Sequence, residues 1–419
     1  MQKVINMMKI GTFSKKYDVS FYTIRFYIKE GLLLPERKNN QYYFDLRCEE
    51  DMMLILELRE CRFSLKEMSR ILSVKRLSGF HDNDSIHFLK GMLRSKQSEL
   101  KDEIRNMQQA IGLLDEKQQQ LKKIPDSTQQ SQPQGISMEF LYHLSCPICR
   151  HSLTLEDSKL HGTQIQKGRL ICPCGYEAMI NNGEIATSHM DETTEVWYTL
   201  DSLIEKFSQE YLNVMFQCYN WMYNEILEIQ TKDKVILCNG ENGCEFLYQY
   251  MDKLGKDNLY VITEISVNSI RHTKDRLNER YPDYNILYVA CDGAELPLKE
   301  NSVDVLIDDG TSWYDMFDST DYFLDKVFPV LKKSVEVIGF YPGYSKKALS
   351  LKNIKLLYPE ANTGKMNWSG MKQDIAENGF HFVSEKLMGD VSDCGTWAKY
   401  HVQGEQIHMH VYHANQKTI

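Results

Sequence analysis

The sequence predicts a multidomain protein in which an all-α head and a long coiled-coil helix precede a small β domain and an α/β domain. Three observations support this class: two short helices with a basic outer face near the start, a heptad repeat of apolar residues, and buried strands alternating with helices in the second half. The chain has 419 residues, of which 42% are hydrophobic and 26% charged, so two or three domains with ordinary cores are expected.

Charge is divided unevenly along the chain. Residues 1–76 hold 15 Lys and Arg against 10 Asp and Glu, a balance of +5, whereas the whole chain carries −9 and the remainder therefore −14. A basic head on an acidic body favours a nucleic-acid-binding module that carries something else. No apolar run approaches the roughly 20 residues of a membrane helix, and the first residues are too weakly apolar for a signal peptide, so we expect a cytoplasmic protein without a membrane partner.

The head begins with two short helices joined by a tight turn. Apolar residues predict the first helix over 10–17, and the second follows an N-cap serine and ends before Gly31. This is helix-turn-helix spacing, and Arg, Lys, Tyr and Thr on the second helix suit phosphates and base edges in a DNA groove. The DNA-contacting residues expected here are Ser20, Tyr22, Thr23, Arg25, Tyr27 and Lys29.

A basic hairpin follows the helix pair. Pro35 and the Asn39-Asn40 pair mark turns, and residues 41–44 predict a short strand. Such a hairpin is a wing, and further helices are predicted over 49–61 and from a capping box at 64–67. The wing residues expected to contact DNA are Arg37, Lys38, Tyr42 and Tyr43.

Residues 9–75 resemble the DNA-binding domain of the MerR family of transcriptional regulators. The resemblance rests on residues 20–33, on Tyr42 and Tyr43 of the wing, and on residues 63–68. It implies a winged helix-turn-helix domain, assigned here to residues 1–80, that binds double-stranded promoter DNA. It also implies action with RNA polymerase, through distortion of the promoter.

One long helix is predicted over residues 84–124. Ile104 and Ile111 fill the spacing between apolar residues that recur every seven positions, namely Leu93, Leu100, Met107, Leu114 and Leu121. This heptad seam predicts a coiled coil, and packing against the chain's own core is the alternative. The family resemblance implies an antiparallel homodimer, and a dimer predicts a pseudo-palindromic operator.

Four of the 11 cysteines are clustered beyond a polar linker at residues 125–137. They form a C-x2-C and C-x-C arrangement, Cys146, Cys149, Cys172 and Cys174. Paired thiolates at such spacing suit tetrahedral Zn²⁺, so we predict a structural zinc site in a small β domain over residues 138–190. A fourth ligand from His151 or His161, and free thiols, are the alternatives. The segment resembles the zinc ribbons that precede or partner certain methyltransferases.

From residue 191 to 419 the pattern becomes α/β. Buried strands are predicted over 234–238, 259–263, 285–290 and 303–307, and polar residues follow each of them. This alternation predicts a doubly wound, Rossmann-like sheet that binds ligands at the carboxyl ends of its strands.

Residues 190–415 resemble class I S-adenosylmethionine-dependent methyltransferases. Glu264 stands where that family's acid bonds the ribose hydroxyls, Asp292 where an aspartate accepts from the adenine amino group, and Gly240 at the first glycine of the cofactor loop. Cys238 occupies the place of the usual acid after the first strand. The resemblance implies S-adenosylmethionine or S-adenosylhomocysteine as cofactor, with binding residues Asn239, Gly240, Gly243, Glu264, Ile265, Asp292, Gly293, Ala294 and Asp308.

No catalytic base can be assigned from the sequence. Trp313 and Tyr314 are candidates to line or cover a pocket, and Trp397, Tyr400 and His401 are candidates for the substrate opening, with core packing as the alternative. Two functions stay open. One is a MerR-like regulator with a cofactor-binding effector domain and a small-molecule effector. The other is an active methyltransferase, with a small-molecule acceptor, that carries an autoregulatory DNA-binding domain.

Overall fold

The computed structural model describes residues 7–122, 135–187, 200–229, 231–239, 244–317 and 321–416. The chain divides into two compact units, residues 1–126 and residues 127–419, which are described separately. Within the described ranges, no helix is both long enough and apolar enough to cross a bilayer.

The first unit is mainly helical. Its described strands are β1 (Met8–Lys9), β2 (Glu36–Lys38) and β3 (Gln41–Phe44). Its described helices are α1 (Ile10–Tyr17), α2 (Phe21–Lys29), α3 (Leu46–Glu60), α4 (Leu65–Ser78) and α5 (Asn83–Lys122). Strand β3 lies between the other two and is antiparallel to both, so the wing hairpin is tied back to the residues that lead into α1.

Short-range hydrogen bonds fix the helix ends of this unit. The Ser20 hydroxyl accepts a bond from the Thr23 N–H at 3.1 Å and caps α2, and Ser64 forms a complete capping box with Glu67 at the start of α4. Helix α3 begins earlier than the predicted residue 49, because Asp45 is its N-cap and accepts from the Cys48 N–H at 3.0 Å.

Helix α5 is a single helix of 40 residues. Near its start, Phe88, Leu89 and Met92 pack against the core of the head. Further along, Met107 is 56% exposed and Leu114 is 63% exposed. The other exposed apolar residues of the predicted seam are Leu93, Ile104, Ile111 and Leu121. The long helix is therefore present, and most of its apolar seam is uncovered within the unit.

The second unit contains the remaining described elements. Its strands are β4 (Ile136–Ser137), β5 (Thr154–His161), β6 (Gln164–Ile171), β7 (Glu177–Asn181), β8 (Glu184–Thr187), β9 (Val235–Asn239), β10 (Leu259–Glu264), β11 (Asn285–Ala290), β12 (Val303–Asp309), β13 (Leu331–Gly343), β14 (Phe380–Val391) and β15 (Ile407–Gln416). Its helices are α6 (Leu200–Lys206), α7 (Gln209–Leu227), α8 (Glu245–Leu254), α9 (Val267–Arg280), α10 (Thr311–Tyr314), α11 (Phe323–Val327), α12 (Leu349–Leu357) and α13 (Trp368–Glu377).

The α/β part has the doubly wound sheet that the sequence predicts. The strand order is β11-β10-β9-β12-β13-β15-β14, in which β15 is antiparallel to both of its neighbours and the others run in one direction. Helices separate β9 from β10, β10 from β11 and β12 from β13, whereas a loop joins β11 to β12. These strands are mostly buried. The predicted fold class is confirmed.

The strands of the predicted small β domain continue this sheet. Strand β8 pairs in parallel with β11, and β7, β6 and β4 follow beyond it, with β5 on β6. The buried Glu184 of β8 forms ion pairs with Lys274 and with Arg271 of α9, the latter at 2.9 Å. The sequence does not indicate this shared sheet, because a pairing between strands about 100 residues apart leaves no local pattern.

Candidate functional site

The outer face of α2 is exposed beside the wing. Tyr22 is 85% exposed, Arg25 and Lys29 are also exposed, and Thr23 is half-buried. A concave groove of about 650 Å³ lies between α1, α2 and the wing, and Arg25 lines it together with Lys9, Thr12, Lys15, Asn40, Gln41 and Tyr42. The sequence prediction missed Lys9, Thr12 and Lys15, although the basic residues around α1 were a usable signal.

The wing residues are held by local contacts. The Arg37 guanidinium lies 5.8 Å from the centre of the Tyr42 ring and donates a hydrogen bond to the Asn40 side chain. Lys38 pairs with Glu36 at 2.8 Å, and the half-buried Tyr43 donates to Gln41 at 3.4 Å. Both basic side chains of the wing are exposed, and exposed cations are suited to phosphate contacts.

One predicted DNA contact is wrong in its placement. Tyr27 was expected on the outer face of α2, but it is only 4% exposed and belongs to the core of the head with Phe13, Ile24 and Phe44. Residues three apart share a helix face, so Tyr27 lies below Ile24 and extends the buried side. Its ring supports the recognition helix from behind.

The end of α2 is anchored by Arg76 of α4. Its guanidinium donates to the Gly31 carbonyl at 3.0 Å, to the Leu32 carbonyl at 2.6 Å and to the Asp51 carboxylate at 2.8 Å. These bonds use carbonyl groups that the helix leaves without partners. The orientation of α2 is therefore fixed by the later helices of the head.

The four clustered cysteines form a candidate metal centre. Their sulfur atoms all lie within 4.8 Å of one another, and the Cys146–Cys174 and Cys149–Cys172 sulfur pairs are 3.4 and 3.3 Å apart. A tetrahedral zinc–thiolate site needs sulfur–sulfur distances of about 3.8 Å, so the four thiols fit Zn²⁺ with a small adjustment. Among the described residues, this cysteine-only cluster is the group with metal-ligand spacing.

Two tight turns bring the thiols together. The Cys146 N–H donates to the His151 carbonyl at 2.8 Å, and the Cys172 N–H donates to the Tyr176 carbonyl at 2.9 Å. Gly175 adopts a φ of +99° in the second turn, which favours glycine. The His151 ring lies 3.4 Å from the Cys149 sulfur, which places it beside the cluster, whereas His161 ends β5.

The ribbon part contacts the segment that contains Asp292. The Ser145 N–H donates to the Pro297 carbonyl at 3.1 Å, and the Tyr176 hydroxyl donates to the Glu295 carbonyl at 3.4 Å. Arg150 of the first turn pairs with Glu300 at 3.0 Å. The cysteine turns thus touch the loop after β11 at several points.

Predicted cofactor residues stand at the carboxyl ends of β9 and β10. Asn239 ends β9, Glu264 ends β10, and both are buried, while Ile265 is 47% exposed. The Thr273 hydroxyl lies 3.3 Å from the Glu264 carboxylate and donates to it. Gly240 and Gly243 lie outside the described residues.

The next predicted residues follow β11. Asp292 is half-buried and accepts a hydrogen bond from the Glu295 N–H at 3.2 Å, which shapes a tight turn. Gly293 has a φ of +86°, and a Cβ there would stand 3.1 Å from the Phe323 ring, so this position requires glycine. Ala294 is exposed at the same turn.

Two adjacent carboxylates end β12 and have different surroundings. Asp308 is buried and accepts from the Tyr412 hydroxyl at 2.6 Å and from the Ser312 N–H at 3.1 Å. Both oxygens serve the fold, and this geometry favours an internal role over the predicted cofactor contact. Burial raises the pKa of Asp309 to about 7, and nearby Glu245 adds to the rise. The sequence prediction did not include Asp309 among the cofactor residues.

Comparisons with known proteins found a family model that matches the head and solved structures that are similar to about half of the chain. Residues 8–75 match the family model described as MerR HTH family regulatory protein. No curated protein sequence matches the chain. Similar solved structures include a SAM-dependent methyltransferase from Aquifex aeolicus, with 12% identity, 51% of this chain and 92% of that chain covered, and a TM-score of 0.33.

Two further solved structures are similar over slightly less than half of the chain. The MccD protein has 12% identity, covers 47% of this chain and 96% of its own, and has a TM-score of 0.38. Geranyl diphosphate C-methyltransferase from Streptomyces coelicolor A3(2), solved with Mg²⁺, geranyl diphosphate and S-adenosyl-L-homocysteine, has 11% identity, 47% and 77% coverage, and a TM-score of 0.35. The chain thus carries the helix-turn-helix module of MerR regulatory proteins at residues 8–75, joined to a doubly wound α/β unit.

Proposed function

We propose that this protein is a dimeric MerR-type transcriptional regulator whose second unit binds S-adenosylmethionine or S-adenosylhomocysteine. The observation that carries the proposal is a set of carboxylates, Glu264, Asp292 and Asp309, at the carboxyl ends of three parallel strands, in a chain whose head exposes a helix-turn-helix. That edge is where doubly wound sheets bind their ligands.

The head has the surface that duplex DNA requires. Arg25, Lys9 and Lys15 line one groove, so a phosphate backbone in it would meet several cations while α2 faces the bases. Tyr22 and Lys29 extend this exposed face, and Arg37 and Lys38 of the wing would contact the flanking backbone. RNA polymerase is the expected partner at the promoter.

Dimerisation is proposed through α5. Its exposed apolar residues recur with heptad spacing, and a second copy of this helix would cover them in a coiled coil. Two heads would then bind two half-sites of a pseudo-palindromic operator. The acidic and basic side chains on the other faces of α5 keep the helix soluble between the heads.

Each cofactor group has a candidate partner at the sheet edge. Glu264 would accept from the ribose hydroxyls, Asp292 from the adenine amino group, and the exposed Ile265 side chain would cover the adenine ring. When bound, S-adenosylmethionine would supply an electrophilic methyl group, whereas S-adenosylhomocysteine has none to transfer.

Asp309 is our candidate for the acid that is missing from the end of β9, where Cys238 stands. Cys238 of β9 pairs with Ile307 of β12, so Asp309 reaches the same edge two residues further along the neighbouring strand. We infer that its carboxylate takes the place of the missing acid and holds the ammonium group of the cofactor's methionine end.

The metal has a structural role in this proposal. Four thiolates fill all positions of tetrahedral Zn²⁺, so the site leaves no position open for a substrate. Regulation would follow if the cofactor or effector binds two arrangements of the dimer with different affinity. The effect of the ligand on DNA binding cannot exceed the difference between its binding free energies for the two arrangements.

Calorimetry and footprinting on the full-length protein test the proposal. We expect S-adenosylhomocysteine to bind and Glu264→Gln to weaken it at least tenfold, whereas Asp283→Asn, which removes an exposed carboxylate at the opposite end of β11, should have no effect. The protein should protect two half-sites in its own promoter. The absence of heat with either cofactor form would exclude the effector proposal, and the absence of protection at low salt would exclude the regulator.

A further inference from the structure

An aromatic cluster lies at the carboxyl ends of β12 and β14. It is defined here by Trp313 of α10, Phe317 just after it, Phe207, and Trp397 and Tyr400 from the segment between β14 and β15. The ring centres of Trp313 and Trp397 are 6.1 Å apart, those of Trp313 and Tyr400 are 6.2 Å apart, and those of Trp397 and Tyr400 are 5.9 Å apart. Five rings from three chain segments therefore meet at the edge that holds the cofactor residues.

Buried donors without a partner are concentrated in this cluster. The indole N–H groups of Trp313 and Trp397 and the hydroxyl of Tyr400 are buried, and none has a hydrogen-bond partner among the described residues. The hydroxyl of Thr311, in the turn that leads to Trp313, shares this property. Because an unmade hydrogen bond of a buried polar group is costly, such groups in one place require an explanation beyond folding.

The chemistry of these groups restricts what could satisfy them. An indole N–H only donates, so the partner must offer acceptor atoms, and the surrounding rings favour a flat conjugated molecule. All five side chains of the cluster are uncharged, so the cluster itself offers no ion pair to a strong anion. A cation would be attracted to ring faces but would leave the donors without acceptors.

We propose that the aromatic cluster binds the second ligand of this unit, a flat, uncharged aromatic compound with carbonyl or hydroxyl oxygens on its rim. The rim oxygens accept hydrogen bonds from Trp313, Trp397 and Tyr400, and the ring packs against their side chains. This inference rests on the proposed function, because a ligand at this edge would lie beside the cofactor, either as effector or as methyl acceptor.

The test uses the full-length protein saturated with S-adenosylhomocysteine and a fluorescent probe of this class, 7-hydroxy-4-methylcoumarin, in mildly acidic buffer that keeps it uncharged. Fluorescence polarisation should show saturable binding. Trp313→Phe and Tyr400→Phe each keep a ring and remove one donor, and each should weaken probe binding roughly tenfold. Tyr358→Phe is the matched control, because Tyr358 contacts Phe317 from the exposed edge of the cluster.

Each outcome decides between the two proposals. If S-adenosylhomocysteine binds but the probe does not, or if choline binds in its place, the ligand class is wrong and the cofactor proposal stands. If Trp313→Phe and Tyr400→Phe both bind the probe as tightly as the parent protein and the Tyr358→Phe control do, the ligand class is also wrong. If neither cofactor nor probe binds, the proposed function itself fails. Cofactor affinity in all three variants should equal that of the parent protein, which confirms their fold.

Discussion

The Ser145 hydroxyl donates a hydrogen bond to the Leu298 carbonyl at 3.1 Å. Ser145 directly precedes Cys146 of the metal cluster, and Leu298 lies six residues after Asp292, the proposed adenine partner. Both ends of this bond are buried. The four-cysteine site and the proposed cofactor edge are therefore joined by a buried contact, and we expect the state of one to affect the other.

Removal of the metal should weaken cofactor binding. If the cluster holds Zn²⁺ as proposed, its removal would leave the two cysteine turns without a common ligand. The hydrogen bonds from Ser145 and Tyr176 to the loop after β11 would then be weakened. We expect chelation, or Cys172→Ser, to reduce S-adenosylhomocysteine affinity roughly tenfold in calorimetry. Metal analysis would confirm the loss of zinc.

The Ser145→Ala variant tests the Ser145–Leu298 hydrogen bond without removing the metal ligands. This variant keeps all four thiols and should retain zinc, yet it should show part of the same loss of affinity. Hydrogen exchange should also become faster in residues 292–300. Equal cofactor affinity with and without zinc would show that the cysteine site is independent of the cofactor edge.

Substitution of Arg25 should affect DNA binding, whereas substitution of Tyr27 should affect the stability of the head. Arg25 is exposed in the groove, so Arg25→Ala should weaken promoter binding by about 10- to 100-fold and leave the melting temperature of the head unchanged. Tyr27 is a core residue, so Tyr27→Ala should lower the unfolding free energy by about 3–5 kcal/mol. Mobility shifts and thermal circular dichroism measure the two effects. An Arg25→Ala protein with full promoter affinity would show that the recognition surface lies elsewhere.

Local signals explain how much of the fold could be predicted. The bounds of α1, β3 and β11 follow from apolar spacing, and the start of α2 follows from its N-cap Ser20; both signals act within a few residues. Tyr27 was misplaced because an amphipathic residue fits either face of a helix, and only packing decides. The parallel pairing of β8 with β11 depends on contacts between distant residues, so no periodicity could reveal it.

The candidate site, too, could be predicted only in part from the sequence. The carboxyl-end positions of Glu264 and Asp292 could be predicted because strand ends are visible in the sequence. The different surroundings of Asp308 and Asp309 could not be predicted. Adjacent strand residues point to opposite faces, and only the structure shows that the Asp308 carboxylate accepts hydrogen bonds from Tyr412 and Ser312.

The uncovered seam of α5 predicts the oligomeric state. Met107→Lys together with Leu114→Lys would place two charges among apolar residues of the seam, so the double variant should be monomeric in analytical ultracentrifugation while the parent is a dimer. A monomer cannot bind both half-sites at once, so promoter affinity should fall by at least 100-fold. Lys101→Ala and Lys122→Ala, on the same helix but outside the seam, serve as the control. A monomeric parent protein would rule out the proposed dimer.

His413 should make the stability of the second unit depend on pH. The ring is buried, and its two nitrogens lie 3.0 Å from a Glu225 oxygen and 2.8 Å from a Glu336 oxygen. Burial lowers the pKa of His413, but the hydrogen bonds to Glu336 and Glu225 outweigh it, and the pKa is raised above its ordinary value of 6.5. The folded state therefore binds this proton more tightly than the unfolded state.

The sign of the effect follows from proton linkage. The stabilisation by protonated His413 is fully present below the ordinary pKa of 6.5 and is lost as pH rises through the raised pKa. The contribution of His413 to the unfolding free energy therefore falls with rising pH, by at most about 1.4 kcal/mol per pH unit. Urea unfolding followed by tryptophan fluorescence measures it selectively, because all five tryptophans belong to the second unit. His413→Gln should flatten the dependence, and His381→Gln, at an exposed position on β14, should preserve it. If both variants keep the parent slope, another group dominates the pH dependence, and the Glu225–His413–Glu336 contact contributes little to it.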